Sequence, residues 1–307
     1  MFPIHHVDRR MAEAVETLGS KPKFWFSDGD RRMLFKAEER GTGEDWAEKV
    51  SCHLGGLLGL PHVHYELAEE YDGDTYLRPG VVCENCAPAP LSLVLGNELL
   101  LERDPAYPAD VSQKYKVREH TVDAVAQVLQ NLAPPSENWM RDVPVGIETA
   151  LDVFVGYVML DGWIANQDRH HENWAALPGN DLRLAPTFDH GASLARNISD
   201  DERLERLTTK DRNRTVAHFA SRAKSAFYRR PTEPRPLTTF DACSAFAAFA
   251  PQAARRWLQR LGAIDQMSIR SVLDEVPNKR MSRIAKDFTL ELLGLNREHL
   301  LTQTIPS

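Results

Sequence analysis

Cysteines, long apolar runs and positive charge are all scarce in this sequence of 307 residues, and each shortage excludes a class of protein. The four cysteines, at positions 52, 83, 86 and 243, are too few and too scattered for a disulfide scaffold, and they fit a reducing compartment. No apolar run reaches the roughly eighteen residues that a membrane span requires. The net charge of −7 argues against a general nucleic-acid binder, so no direct nucleic-acid partner is expected.

The first residues carry no basic segment followed by an apolar one, which argues against a signal peptide. A cytoplasmic location is therefore expected, with secretion into a host left open. The single Cys83-x-x-Cys86 pair is weak evidence for a metal site because no second pair stands nearby. The histidines show no zincin spacing, and His64 alternates with its neighbours in a strand-like run. We expect His64 to pack or to lie exposed rather than to bind a metal.

The most informative stretch contains Asp168, Asn173 and Asp189. Asp168 stands five positions before Asn173, and Asp189 follows sixteen positions after Asn173. The turn sequence Pro-Gly-Asn-Asp at 178–181 separates two short apolar runs, which predicts a hairpin. Closing that hairpin brings Asn173 and Asp189 side by side, with Asp168 just upstream.

These three side chains suit phosphoryl transfer. An amide oxygen and a carboxylate are hard ligands for Mg²⁺ on a nucleotide, and a further carboxylate can accept the proton of an attacking hydroxyl. The order is that of a kinase catalytic loop followed by a metal-binding Asp-x-Gly. Either half alone also fits ordinary turn and cap residues. Both halves in sequence favour Asp168 as the base, with Asn173 and Asp189 as metal ligands.

The residues before position 95 predict a small sheet with one helix. A capping box is predicted from Thr42 to Asp45, and Gly59 and Pro61 are expected to end the helix that follows. Strand-like runs occur at 23–26, 33–36, 63–67 and 75–82. This order of hairpin, helix and strands is that of a kinase N-lobe with an antiparallel sheet.

Lys36 ends one of these strands, on the face opposite to Phe35. A lysine that points inward from an apolar strand needs an anionic partner. Glu48 on the following helix is the preferred candidate and Glu44, one turn earlier, is the alternative. Lys36 would then contact the α- and β-phosphates of ATP while Glu48 orients it.

A short loop around Gly19, Ser20 and Lys21 precedes the first strand of the hairpin. Glycine allows backbone N–H groups to approach phosphates closely, so these three residues are assigned to ATP binding. A loop with one glycine is a weak signal by itself and also fits a simple turn.

Helical patterns dominate the second part of the chain. We therefore predict an α+β, bilobal protein-kinase-like fold, with an N-lobe at 1–95 and a mostly helical C-lobe at 96–307. The adenine-contacting hinge is placed loosely at 82–97, and the activation segment is expected to follow Asp189 through 200–214.

These motifs resemble the HipA-like serine/threonine protein kinases over most of the chain. The resemblance is carried by six segments: Lys36 in Leu-Phe-Lys, Trp46-Ala-Glu-Lys-Val50, Leu57-Leu-Gly-Leu-Pro61, Gly96-Asn97, Asp168-Arg-His-x-x-Asn173 and Pro186-Thr-Phe-Asp189-His-Gly. It implies ATP- and Mg²⁺-dependent phosphorylation of a serine or threonine in a protein substrate. It also implies a toxin role controlled by an antitoxin or companion protein. The chain begins almost directly at the glycine-loop hairpin, as in the compact, kinase-only members.

The resemblance further implies autophosphorylation in the glycine loop as an off-switch. Ser20 is the matching hydroxyl, and Thr17 is the second option. A phosphate there would repel the phosphates of ATP.

Two other functions remain open. Asp-Arg-His-x-x-Asn also occurs in phosphoinositide kinases, so a lipid or small-molecule kinase is one alternative, although no basic amphipathic helix for a membrane surface is evident. The other alternative is a pseudokinase that binds nucleotide without transferring phosphate.

Overall fold

The computed structural model describes residues 1–15, 22–38, 41–87, 91–110 and 116–305, in which a strand-rich first part precedes a helix-rich second part. The strands are β1 Ile4–Asp8, β2 Ala14–Val15, β3 Lys23–Asp28, β4 Arg31–Ala37, β5 Tyr65–Asp72, β6 Thr75–Glu84, β7 Val94–Leu95, β8 Ala175–Leu177 and β9 Arg183–Leu184. The helices are α1 Glu44–Leu58, α2 Gly96–Arg103, α3 Val122–Leu129, α4 Ala150–Ile164, α5 Asp200–Thr208, α6 Val216–Ala220, α7 Thr239–Ala247, α8 Pro251–Gly262, α9 Gln266–Glu275 and α10 Arg283–Thr302. The mixed α+β class predicted from the sequence is confirmed.

One large sheet organises the first part, and together with α1 it is here termed the sheet lobe. Its strand order is β1-β5-β6-β4-β3-β2. The β3–β4 hairpin turns at Gly29, whose φ of +60° suits glycine. The predicted pairings are antiparallel, and β1 adds a parallel edge strand beside β5 that the sequence analysis did not include. Val7 is the buried residue of β1, which is too little alternation to predict a strand.

Helix α1 packs against β5 and β6 and begins later than predicted. Gly43 is its N-cap, with a φ of +81°, so the predicted capping box at Thr42 is wrong. The Glu38 carboxylate accepts the N–H of Glu44 at 2.7 Å and takes the place of a cap side chain. The Thr42 hydroxyl instead accepts a hydrogen bond from Arg196.

The end of α1 lies where the sequence placed it. Gly59 is the C-cap with a φ of +77°, and its N–H bonds to carbonyls of the last turn. A Cβ at Gly59 would lie 2.2 Å from the carbonyl oxygen of Asp142, so the helix end also packs closely against a loop of the second part.

The second part, here termed the helical lobe, is built around α4. Fourteen of the fifteen residues of α4 are buried, which is the pattern of a helix surrounded by protein on all sides. Helices α7, α8 and α10 pack around it. The predicted hairpin is present as β8 and β9, and β7 adds a third strand beside β8. None of the helices in the described ranges combines the length and the apolar character of a membrane span.

The loop between α9 and α10 binds the helical lobe to the sheet lobe. Arg280 pairs with Asp45 of α1 at 2.6 Å, and both side chains are almost fully buried. The same guanidinium donates to the carbonyl oxygen of Ala68 in β5 at 2.7 Å. The neighbouring Lys279 reaches Glu69 at 2.7 Å from the surface. Side chains from late in the chain therefore contribute to the relative position of the lobes.

Candidate active site

The loop that carries Asp168 follows directly from the end of α4. The Asn166 side chain accepts the N–H of Asp168 at 3.2 Å, and the Asn173 amide nitrogen donates to the Asp168 carbonyl at 2.7 Å. Because that nitrogen is engaged, the amide oxygen of Asn173 is the atom that can serve as a metal ligand. The Asp168 carboxylate is 31% exposed, so it is accessible to a substrate hydroxyl.

Arg169 holds this loop to the rest of the site. Its buried guanidinium makes two hydrogen bonds to the Asp161 carboxylate, at 2.8 and 2.7 Å. It also donates to the Asn173 carbonyl at 3.0 Å and to the Thr187 hydroxyl at 2.8 Å. One side chain therefore fixes both open ends of the β8–β9 hairpin. The sequence analysis gave Arg169 no role, although Asp161 was a signal, being an acidic residue inside an apolar helix.

Two buried histidines support the loop, and Nε2 of one of them, His170, lies 3.7 Å from the Asp168 carboxylate. His170 accepts the N–H of Glu172 at 3.1 Å, which stabilises the backbone turn. His190 lies 2.8 Å from the Thr187 hydroxyl, which accepts from Arg169 and can therefore donate to the imidazole. Burial, reinforced by the Arg169 charge, holds the pKa of His190 well below its usual value, so the ring is neutral.

Lys36 lies between two carboxylates. Its ammonium is 2.7 Å from Asp189 and 3.8 Å from Glu48. Burial alone would lower the pKa of Lys36, but the two carboxylates outweigh it and raise the pKa above its ordinary value. Burial raises the pKa of Glu48, and the Lys36 charge opposes that shift. The structure thus brings Lys36 to Glu48, the preferred partner, while Glu44 pairs with Arg196.

The backbone at Asp189 is held in an uncommon conformation. Its φ is +59°, a region that aspartate tolerates better than most residues but that still costs free energy. Its N–H points to the Tyr65 hydroxyl at 3.4 Å, and the Tyr65 ring centroid lies 5.3 Å from the Lys36 ammonium. A Cβ at Gly191 would come 3.0 Å from the Glu48 carboxylate. Glycine in the Asp-x-Gly sequence therefore allows α1 to approach.

The segment after Asp189 is fastened to α1 at two points. The hydroxyls of Ser51 and Ser193 are 2.9 Å apart and buried. Arg196 binds Glu44 at the start of the helix. The position of Glu48, between these two contacts, is coupled to the segment that follows the proposed metal ligand.

The predicted hinge borders a cavity of about 600 Å³. Glu84, Cys86, Trp139 and Leu177 are among its lining residues. Burial raises the pKa of Cys83 to about 12 and that of Cys86 to about 11, so both are neutral thiols at ordinary pH. Within the described residues, neither cysteine joins a group with metal-binding geometry.

Two sets of predicted site residues are therefore assembled: Lys36 with Glu48 and Asp189, and Asp168 with Asn173. The Arg169 hydrogen bonds connect the sets through Thr187. The predicted phosphate-loop residues Gly19, Ser20 and Lys21, and the second autophosphorylation candidate Thr17, lie outside the described residues.

No protein-family model and no curated protein matches this sequence. Solved structures do match its fold. The proinflammatory kinase CtkA of Helicobacter pylori has a TM-score of 0.69 at 17% identity, covering 98% of this chain and 100% of CtkA. HipA of Shewanella oneidensis MR-1, from a toxin–antitoxin complex with HipB and operator DNA, has a TM-score of 0.56 at 10% identity. That match covers 94% of this chain and 65% of the HipA chain. The predicted kinase-like fold is confirmed.

Proposed function

We propose that this protein is an ATP- and Mg²⁺-dependent kinase of the HipA-like type, which phosphorylates serine or threonine in a protein substrate. The observation that carries the proposal is the Lys36 ammonium, 2.7 Å from Asp189 and 3.8 Å from Glu48. Arg169 connects this ion-pair group to the loop of Asp168 and Asn173. The kinase-like fold shared with CtkA and HipA supports the proposal independently of the site geometry.

The donor atoms fit a magnesium ion. Asn173 offers an amide oxygen and Asp189 a carboxylate that is 35% exposed and already has a cation, Lys36, as its neighbour. Oxygen ligands of this kind are those that Mg²⁺ prefers. Asn173 and Asp189 would hold the ion, which would supply neutralisation of the phosphate charge when bound.

The protein's own groups would position the reactants. Lys36, oriented by Glu48, would contact the α- and β-phosphates and exchange part of its bond to Asp189 for them. Asp168 would orient the substrate hydroxyl in line with the γ-phosphate and accept its proton. Catalysis would then rest on positioning and on charge neutralisation by pre-arranged groups.

The remaining assignments belong to the same proposal. Gly19, Ser20 and Lys21 would cover the phosphates, and Ser20 or Thr17 would carry an inhibitory phosphate. A small antitoxin-like protein is the expected partner, since the similar HipA was solved with HipB. The proposed N-lobe spans residues 1–95, the proposed C-lobe spans residues 96–307, and the proposed compartment is the cytoplasm.

The test is transfer of labelled γ-phosphate from Mg-ATP to the protein itself, to a bacterial lysate and to phosphoinositide vesicles. Asp168→Asn is expected to keep ATP binding and to lower transfer by several orders of magnitude, because it removes the proton acceptor alone. The matched control is Asp181→Asn, an equivalent change in the exposed turn of the same hairpin, which should leave transfer unchanged.

Label on protein that disappears in Asp168→Asn supports the proposal. Near-full transfer by Asp168→Asn would show that the base is assigned wrongly. Label on lipid would support the phosphoinositide alternative. If ATP binds and no transfer occurs, intact mass decides: a protein without phosphate is a pseudokinase, and a phosphate on residues 17–20 identifies a silenced kinase.

A further inference from the structure

Three side chains that have no role in the proposed kinase mechanism lie close together at α1 and the loop that follows it. Cys52 lies on the third turn of α1, His62 in the loop after it, and His64 immediately before β5. One ligand atom of each lies within 4.8 Å of the other two. The Cys52 sulfur is 3.5 Å from Nδ1 of His64. The sequence analysis expected His64 to have no ligand role, because only the fold brings it to the cysteine.

The hydrogen bonds of the two imidazoles leave the correct nitrogen atoms available. Nδ1 of His62 lies 2.7 Å from the Leu60 carbonyl oxygen. A carbonyl can only accept, so Nδ1 carries the proton and Nε2 keeps its lone pair. Nε2 of His64 lies 2.6 Å from the Glu66 carboxylate, which leaves Nδ1 facing the sulfur. Metal-binding histidines show this arrangement, in which the second nitrogen donates to a carbonyl or a carboxylate.

Glu66, the outer partner of His64, is itself held in place. The Lys49 ammonium, buried on α1, lies 2.7 Å from the other Glu66 oxygen. The carboxylate therefore has one oxygen for Lys49 and one for His64. These contacts hold the exposed imidazole of His64 in one orientation. A solvent-exposed histidine without such a partner would have no fixed orientation.

Cys52 differs from the other cysteines in its surroundings. Its sulfur accepts the backbone N–H of Tyr65 at 3.4 Å. The imidazoles of His62 and His64 lie beside it, each with a ring nitrogen within 4.8 Å of the sulfur. Within the described residues, no other cysteine belongs to a group of potential metal ligands. The thiolate is the form that binds metals.

We propose that Cys52, His62 and His64 form a binding site for a thiophilic divalent metal ion, in the first place Zn²⁺, with the fourth position held by water. Bond lengths of about 2.3 Å to sulfur and about 2.0 Å to nitrogen place such ligands roughly 3.5 Å apart around a tetrahedral ion. The sulfur of Cys52 and Nδ1 of His64 already have that separation. The His64 side chain is 59% exposed, which gives the ion a route from solvent.

The ligand chemistry distinguishes this site from the proposed magnesium site. One thiolate and two imidazoles favour zinc-like ions, whereas carboxylate and amide oxygens favour Mg²⁺. The two ions would therefore not compete for the same residues.

The proposed metal site lies where two elements meet, and each of them carries a partner of Lys36. One is α1 with Glu48, and the other is the segment with Asp189. Glu48 precedes Cys52 by four residues, so both lie on the same face of α1. The loop containing His62 pairs with the segment before Asp189: the Val63 N–H donates to the Thr187 carbonyl, and the Thr187 N–H donates to the Pro61 carbonyl, each at 2.9 Å. A bound ion would thus connect the helix of Glu48 to the segment that leads to Asp189. This regulatory consequence rests on the proposed kinase function, whereas metal binding itself does not.

The test uses the full chain, stripped of metal with a chelator and then titrated with Zn²⁺ against a chromogenic competitor. Wild type is expected to bind one ion per chain. Co²⁺ in place of Zn²⁺ should give an absorption band from thiolate-to-cobalt charge transfer, which reports directly on Cys52. Neither readout depends on phosphotransfer, and both are repeated in Asp168→Asn, where binding should be unchanged.

Substitutions test which residues bind the ion. Glu66→Gln, which removes an outer partner, should weaken Zn²⁺ binding by about 10- to 100-fold, and His64→Ala at least as much. Cys52→Ser should abolish the charge-transfer band. His5→Ala and Cys243→Ser, which remove the same residue types elsewhere, should retain wild-type binding. His64→Ala changes an exposed side chain, so it tests the site even if Cys52→Ser fails to fold.

The proposal is overturned if wild type binds no stoichiometric Zn²⁺, or if His64→Ala binds it as wild type does. It is equally overturned if binding is lost in His5→Ala but kept in His64→Ala, because the ion would then sit at the N-terminal histidines.

Discussion

The Arg169 guanidinium is buried and makes four hydrogen bonds, two of them to the Asp161 carboxylate. A buried charge that loses its partner destabilises a protein far more than a surface charge does. We expect Arg169→Gln to lower the free energy of unfolding by about 3–5 kcal/mol, because Asp161 would be left without its cation. Urea unfolding measures this directly.

The matched control for that change is Arg141→Gln, at an exposed arginine whose side chain bonds only to Asn138 among the described contacts. Its effect should stay within about 0.5 kcal/mol. Equal effects of the two variants would show that the Asp161–Arg169 pair does not stabilise the loop.

The buried imidazole of His120 should make the free energy of unfolding depend on pH. It lies in the core of the helical lobe, donating from Nδ1 to the Ala226 carbonyl at 3.0 Å and accepting from the Trp174 indole at 3.2 Å. Burial lowers its pKa from 6.5 to about 3. Between these values the unfolded chain binds the proton and the folded protein does not. The stability that His120 contributes is therefore complete above about pH 6.5 and is lost as the pH falls toward 3.

The variant His120→Gln keeps a donor and an acceptor but cannot titrate. Its unfolding free energy should fall less steeply between pH 6 and 4 than that of wild type, by up to about 1.4 kcal/mol per pH unit. Urea unfolding at several pH values gives both slopes. Identical slopes would mean that His120 is already charged in the folded protein.

The residues of the site differ in how far the sequence could predict them. The sequence could place Asn173 and Asp189 at the two open ends of one hairpin, because the turn that closes β8 and β9 is a local signal. The sequence did not decide whether Glu44 or Glu48 is the partner of Lys36. Residues four apart share a helix face, so only the orientation of α1 in the fold decides between them. Arg169 was missed because no local pattern connects it with Asp161, although an acidic residue inside an apolar helix is a signal for a buried cationic partner.

At the scale of elements, the end of α1 is a closely constrained point of the sheet lobe. Gly59 has a positive φ, and a Cβ there would meet the Asp142 carbonyl oxygen at 2.2 Å. Gly59→Ala should destabilise the protein by more than the roughly 1–3 kcal/mol of a strained backbone alone. The control is Gly29→Ala, where φ is also positive but no atom lies within 4 Å of the added Cβ.

Thermal unfolding of the two alanine variants separates backbone strain from steric contact. Gly59→Ala should have the lower Tm. If both variants lose the same stability, the contact between the helix end and the Asp142 loop contributes nothing.

The two ends of α1 show how far local sequence patterns can predict where a helix begins and ends. The end of α1 at Gly59 was predicted because a glycine with a proline two positions later is a local stop signal. The start of α1 was predicted wrongly because the N–H of Glu44 is satisfied by Glu38, six residues upstream and outside the usual capping pattern. The parallel strand β1 was missed for a related reason, since its pairing with β5 depends on residues far along the chain.

At the scale of the whole molecule, Arg280 holds the two lobes together through Asp45, which is 4% exposed. Burial already raises the pKa of Asp45, and the Arg280 charge opposes that shift. Arg280→Met should lower the unfolding free energy by about 3–5 kcal/mol, because Asp45 would lose its buried partner. Lys279→Met is the neighbouring control at an exposed ion pair, with an expected effect of about 0–1 kcal/mol.

Tryptophan fluorescence and far-ultraviolet circular dichroism, followed during urea unfolding, check this prediction. Wild type should give one coincident transition, because the lobes are bound by buried charges. An Arg280→Met variant as stable as Lys279→Met would contradict the assigned role.

The order of the two lobes followed from the succession of motifs, so the fold could be predicted from sequence. The contacts between the lobes could not, because Asp45 and Arg280 are separated by 235 positions and no periodicity connects them. Side chains that act over such distances become visible only in three dimensions.

The Arg280 contact has a consequence for recombination between related proteins. A chimera made with a single crossover near residue 90 would take its sheet lobe from one parent and Arg280 from the other. The buried carboxylate of Asp45 would then face a loop shaped for a different sheet lobe. A functional exchange would need two crossovers, so that residues 279–280 are inherited together with the sheet lobe although they lie far from it along the chain.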